Sequence, residues 1–141
     1  MRRIRTESGS AVIEFTWFSV LVFVPLVYII LAVFETQSAA YAVSNASAAA
    51  ARAFVQAPSG AQAEPLARKA ASITLADADH TDADVSIRCK PRCRVPGSTV
   101  TVIVKVTSPL PLMPRMFGQR LASITVDATH TEPFGTYRAR S

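Results

Sequence analysis

From Phe15 to Phe34 the chain reads FTWFSVLVFVPLVYIILAVF, a run without one charged side chain. At about 1.5 Å per helical residue, a run of this length crosses the roughly 30 Å hydrocarbon core of a bilayer. It is apolar all round instead of along one stripe, which fits a segment surrounded by lipid. The competing reading, a buried helix of a soluble domain, needs protein on every side. A chain of 141 residues has too little left to provide that cover.

After Phe34 the composition changes without a helix breaker. Glu35 to Gln56, ETQSAAYAVSNASAAAARAFVQ, is rich in Ala and holds neither Gly nor Pro, so the helix is expected to continue. One helix from about Ala11 to Val55 would reach on the order of 65–70 Å, with Pro25 expected to kink it. Ala42, Ala46, Ala49 and Ala53 recur at alternating spacings of four and three, a narrow stripe that lets another element approach closely. The stop signal is Ala57 to Gly60, APSG. A second, short helix is expected in EPLARKAASITLADA, with Pro65 near its first turn and Leu66, Ala70 and Ile73 on one face.

The period then shifts from helical to alternating. Val85, Ile87 and Cys89 alternate with Asp84, Ser86 and Arg88. Val100, Val102, Val104 and Val106 form a second series, and Ile124, Val126 and Ala128, opposite Thr125, Asp127 and Thr129, a third. Three such alternations separated by breakers predict a half-buried antiparallel sheet of about three strands. Its apolar face needs a cover, and the Ala-rich helix is the nearest candidate. SPLPLMPRMFGQR, between the last two strands, holds three prolines and is read as a loop or edge. The tail TEPFGTYRARS is read as irregular.

Charge orients the chain. Arg2, Arg3 and Arg5 precede the apolar run, and the next basic residue after it is Arg52. The positive-inside rule puts the N-terminus in the cytoplasm and everything after Phe34 outside a plasma membrane crossed once. The net charge of +5 points away from nucleic acid, because the later basic residues are scattered without a basic helix or aromatic platform. They read as a solvated exterior surface.

Outside the membrane, Cys89 and Cys93 around KPR read as a short-loop disulfide bracing a turn. A zinc site combining them with His80 and His130 has the weaker case, since the spacing matches no standard finger. DADHTDAD, Asp77 to Asp84, carries four aspartates but lacks the glycine and final Glu of a calcium loop; a polar helix-to-strand connection is the better reading. No nucleophile elbow and no phosphate-binding Gly-rich loop is present. The chain is read as a non-enzyme without metal or cofactor.

One stretch remains. Glu14 puts a carboxylate at the entrance of the apolar helix, where it costs up to roughly 2.5–3.5 kcal/mol if carried to the bilayer centre. It sits in a specific setting: Arg2, Arg3 and Arg5, then Gly9, then SAVI, then Glu14 and Phe15. This arrangement resembles the class III signal of type IV prepilins, which a membrane aspartyl peptidase cuts after the glycine. The resemblance implies a cut between Gly9 and Ser10, with Glu14 becoming the fifth residue of the processed chain and the apolar helix retained. Cleavage would create an α-amine on Ser10, and in an assembly that amine can pair with Glu14 of a neighbouring copy. Each then lowers the other's cost of entering an apolar core and sets the axial register. The rival readings are a Glu14 that snorkels to the headgroups of an uncleaved helix, and ordinary signal-peptidase cleavage at AYA, Ala40 to Ala42. The apolar run is too long for the latter.

The wider pattern, from leader through one span and an Ala-rich continuation to a small exterior domain, is similar to the TadE-like pseudopilins of tight-adherence (Flp-type) pilus systems. Ser10 departs from the hydrophobic or aromatic first residue usual in major pilins, which weakens the case for a major pilin and only slightly affects that for a pseudopilin. The resemblance implies a pilin-like α+β architecture: a leader over residues 1–9, a transmembrane and extended helix over 10–57, and an exterior α+β domain over 58–141. It also implies a prepilin peptidase, other pilins or pseudopilins, an inner-membrane pilus platform and, indirectly, a cytoplasmic assembly ATPase as partners. Membrane lipid surrounds the span, and nucleic acid is not a partner.

Overall fold

In a computed structural model the chain is described over residues 8–109 and 123–135, with side chains over 11–108 and 123–135. The first element, α1, is one helix over Ser8–Gln56. At about 1.5 Å per residue it is on the order of 70 Å long. Pro25 lies inside it and leaves the carbonyl of Leu21 without its usual helical donor. From Ala11 to Phe34 nearly every side chain is exposed to the surroundings of the chain, Phe15 at 72% and Trp17 at 69% among them. From Ala39 onward the same helix is buried on one side by the rest of the protein.

α1 ends where Pro58 withdraws a backbone donor and pushes Ala57 out of helical conformation. Ser59, extended at φ −137° and ψ 160°, starts α2, Gly60–Ala76. The helix therefore begins more than a turn ahead of Pro65, which costs it only the bond to Ala61. Its buried residues are Ala63, Ala67, Ala71 and Leu75. The expected face of Leu66, Ala70 and Ile73 is turned outward, with Leu66 40% and Ile73 54% exposed. The reason is the partner surface. α1 offers α2 small side chains, and two small-residue stripes approach more closely than bulky ones allow.

The α1 stripe is corrected in the same way. Ala42 and Ala46 are buried as expected, but Ala49 and Ala53 are only half-buried at its edge. The covered face runs through Ala39, Val43, Ser47, Ala50, Ala51 and Phe54 instead. It is wide enough to touch the sheet on one flank and α2 on the other.

The three strands are β1, Ala83–Lys90; β2, Thr99–Pro109; and β3, Ser123–Pro133. They form one antiparallel sheet in the order β1-β2-β3. Val100, Val102, Val104 and Val106 of the central strand are fully buried under α1. Val85, Ile87, Cys89, Val126 and Ala128 on the flanking strands are partly buried against the same core. Burying each of the four β2 valines contributes about 1.5–3 kcal/mol. The observed architecture is the expected α+β arrangement, a long apolar N-terminal helix followed by a three-stranded antiparallel sheet.

The expected irregular tail is partly overturned. β3 pairs with β2 through Thr99–Pro133, and the next residue, Phe134, is buried. Its N–H donates to Ser98 O at 2.7 Å while its carbonyl accepts from Gly97 N at 3.2 Å. Backbone pairing thus continues past the point where side-chain alternation stops being informative. Residues 136–141, and most of the Pro-rich segment expected as a loop between β2 and β3, lie outside the described residues.

Candidate functional site: the apolar helix and its two junctions

Three places on this scaffold carry polar groups in unusual positions: the start of α1, its midpoint, and its C-terminal end.

At the start, Gly9 and Ser10 are already helical, and Glu14 and Phe15 project from the exposed apolar stretch. Thr16 returns its hydroxyl to Val12 O at 2.8 Å, so no polar hydrogen of Thr16 faces the apolar surroundings. At about 3.6 residues per turn, Glu14 lies in line with Leu21, Pro25, Tyr28 and Ala32. That line continues upward into Ala39, Val43 and Ala46, the face that carries the sheet. The carboxylate therefore belongs to the sheet-bearing side of the helix. That alignment is readable from spacing alone once the covered face is known.

At the midpoint, Glu35 is the first charged residue after the apolar run. Its Oε1 accepts a hydrogen bond of 2.8 Å from Ser108 Oγ. Ser108 is buried at the lower end of β2, on the same inward period as the four valines. A polar residue completing an apolar alternation is the signal that sequence reading passed over. Its buried hydroxyl requires an acceptor, and half-buried Glu35 is that acceptor. Beside this bond, Ile124 at the start of β3 lines one concave corner with Tyr28, Ile29, Ala32, Val33 and Thr36.

At the far end, Arg94 ties three elements together. Its Nη1 donates to Ala57 O at 3.0 Å, capping a carbonyl freed by the end of α1. Its guanidinium carbon lies 5.5 Å from the centre of the Phe134 ring, within cation–π range. Arg94 itself adopts φ 60°, a left-handed conformation a non-glycine residue holds only with support. Its side-chain contacts to Ala57 and Phe134 hold it there, and the bridge between Cys89 and Cys93 closes the adjoining β1–β2 turn. With both thiols in that bridge, neither serves as a zinc ligand.

Three of the four aspartates between Asp77 and Asp84 have local roles. Asp77 caps α2, with its N–H on Ile73 O. Asp79 takes the left-handed turn position at φ 59°, which Asp tolerates better than most residues. Asp84 faces solvent on β1 beside Lys105, which stands between it and Asp127 across the sheet. That rung of alternating charge is favourable. His80 is buried with no partner on Nε2, and His130 pairs with Glu132 on β3 at 3.2 Å. Among the described residues no group of three or more His, Cys, Asp or Glu side chains converges on a metal position.

On the outer edge of the sheet, Arg68 of α2 donates from Nη1 to Val85 O at 2.9 Å while its other nitrogens hold Glu64. This covers part of the exposed edge of β1. Comparison with known proteins adds nothing to this geometry: no family model, curated protein or solved structure matches the chain.

Proposed function

We propose that this chain is a TadE-like pseudopilin, a structural or assembly component of a tight-adherence (Flp-type) pilus. It is held in the plasma membrane by one span, with its N-terminus cytoplasmic and its α+β domain outside. The observation that carries the reading is the continuity of α1. A leader-like sequence, Gly9-SAVI-Glu14-Phe15, opens an apolar stretch long enough to cross a membrane, and that helix runs on unbroken into the core of the exterior domain. Function on this reading is mechanical and interactive. The helix couples whatever happens at Glu14 in the membrane to the sheet outside, because no hinge residue separates Phe34 from the covered stretch beginning at Ala39.

In this role a prepilin peptidase cleaves between Gly9 and Ser10. The α-amine of Ser10 in one copy then pairs with Glu14 of another, in contact with an inner-membrane pilus platform and other pilins. Neither a metal nor a cofactor enters, and the protein catalyses no reaction.

The test is N-terminal sequencing and intact mass of the protein from its native membranes, alongside a Gly9→Val variant. A native N-terminus at Ser10, abolished in the variant, supports the proposal. A native N-terminus at Met1 with an unchanged variant refutes processing and leaves an anchored exterior domain. With processing established, Glu14→Gln is expected to be cleaved but to fail in assembly. Undiminished assembly would refute the pairing.

A further inference from the structure

The lower end of the sheet has a position that the rest of the domain does not share, beside the apolar part of α1. Four consecutive rungs of the β2–β3 pair, Val106–Val126, Thr107–Thr125, Ser108–Ile124 and Pro109–Ser123, contain no charged residue. The first charges stand one rung higher, where Lys105 faces Asp127. Elsewhere the exposed side of the sheet carries Asp84, Arg88 and Lys90.

These uncharged rungs sit beside the upper part of the apolar helix. Ser108 is bonded to Glu35, and its cross-strand partner Ile124 shares a corner with Tyr28, Ile29, Ala32, Val33 and Thr36, closed at its upper end by the uncharged amide of Gln37. Ile29 is six residues below Glu35, about 9 Å at the helical rise, so the corner reaches from the level of Glu35 down into the apolar run. Asp127 is three residues above Ile124, about 10 Å along an extended strand. An uncharged band of this depth matches the headgroup-to-acyl boundary, into which amphipathic elements sink by roughly 5–10 Å.

We propose that this end of the sheet is a lipid-contacting surface. The uncharged rungs rest in the headgroup region of the leaflet on the domain's side, and the corner between Ile124 and the helix receives the upper part of a phospholipid acyl chain. The corner is continuous with the membrane-spanning surface of α1, so among the described residues no charged side chain stands between a lipid that lines the helix and Ile124. The bond from Ser108 to Glu35 holds the edge at that depth. The exterior domain is therefore seated on the bilayer instead of standing clear of it. This rests on α1 spanning a membrane and is independent of any pilus role.

The test uses the full-length chain, with the Cys89–Cys93 bridge intact, in phosphatidylcholine vesicles with and without lipids bearing a nitroxide high on the acyl chain. Single cysteines are placed by Ile124→Cys, by Thr125→Cys on the exposed face of the next rung, and by Thr131→Cys near the far end of β3, each labelled with bimane. Thr131 is seven residues from Ile124, about 23 Å along the strand, and serves as the reference outside lipid. Trp17 is the single tryptophan and reports insertion of α1. Quenching several-fold stronger at 124 and 125 than at 131, reduced at 125 when Ser108→Ala is added, supports the proposal. Equal quenching at 125 and 131 while Trp17 is quenched overturns it and leaves the membrane span standing. A Trp17 that lipid nitroxides do not quench overturns both.

Discussion

The contact between α1 and α2 makes opposite demands on two neighbouring alanines. Ala67 is fully buried against α1, whereas Ala70 is partly exposed and lines an open groove with Leu66 and Ile73. Replacing each by Leu adds the same three carbons to the same helix. At Ala67 those carbons must force two closely packed helices apart, which costs about 1–3 kcal/mol. At about 4–8 °C per kcal/mol for a domain of this size, a central value of about 2 kcal/mol lowers the melting temperature by about 8–16 °C. At Ala70 the added carbons lie along Leu66 and Ile73 and displace only water, so stability changes by no more than about 0.5 kcal/mol. Thermal unfolding of the full chain in detergent micelles, followed by circular dichroism and by hydrogen exchange of β2 amides, measures both. A larger loss for Ala70→Leu than for Ala67→Leu would refute the assigned packing face and restore the Leu66–Ala70–Ile73 face expected from periodicity.

Three further outcomes follow from named contacts. Arg94→Ala removes the donor to Ala57 and the cation over Phe134, and is expected to cost about 1–3 kcal/mol in the same unfolding assay. Arg94→Lys should recover only part of it, since an ammonium lacks the planar fork. Replacing Cys89 and Cys93 together by Ser is expected to cost no more than about 2 kcal/mol, because so short a loop removes little entropy from the unfolded chain. A larger drop in midpoint would mean that the bridge holds up more than its own turn. Ser108→Ala is expected to cost about 0.5–1.5 kcal/mol and to raise hydrogen exchange selectively at the lower rungs of β2 and β3; uniform exchange across the sheet would refute a local clasp.

Much of the fold was legible in the sequence, and for a physical reason in each case. The apolar run announces its own environment, because hydrophobicity is a property of the segment and needs no partner to be read. Alternation along β1, β2 and β3 fixed which strand face is covered, since a period of two leaves only two choices. Val100 to Val106 could point inward or outward as a set, and their chemistry decides. The leader-like pattern around Gly9 and Glu14 was likewise visible without any structure.

Helix faces were less legible. An Ala-rich helix offers several nearly equivalent small stripes, and α2 offered both Leu66–Ala70–Ile73 and Ala63–Ala67–Ala71–Leu75. Periodicity marks both; only the closeness of α1 selects the smaller. The clasp between Glu35 and Ser108 spans 73 positions, and Arg94 reaches Ala57 across 37. The alternation of β2 marks Ser108 as inward-facing, but no local pattern pairs it with Glu35 or Arg94 with Ala57, because each pairing is chosen by where the chain returns. The sequence by itself determined that this protein has an apolar helix leading into a small sheet. Tertiary structure alone decided which small side chains meet and where the edge of the sheet stops against the helix. Those outcomes depend on distances between segments, and no local periodicity encodes such distances.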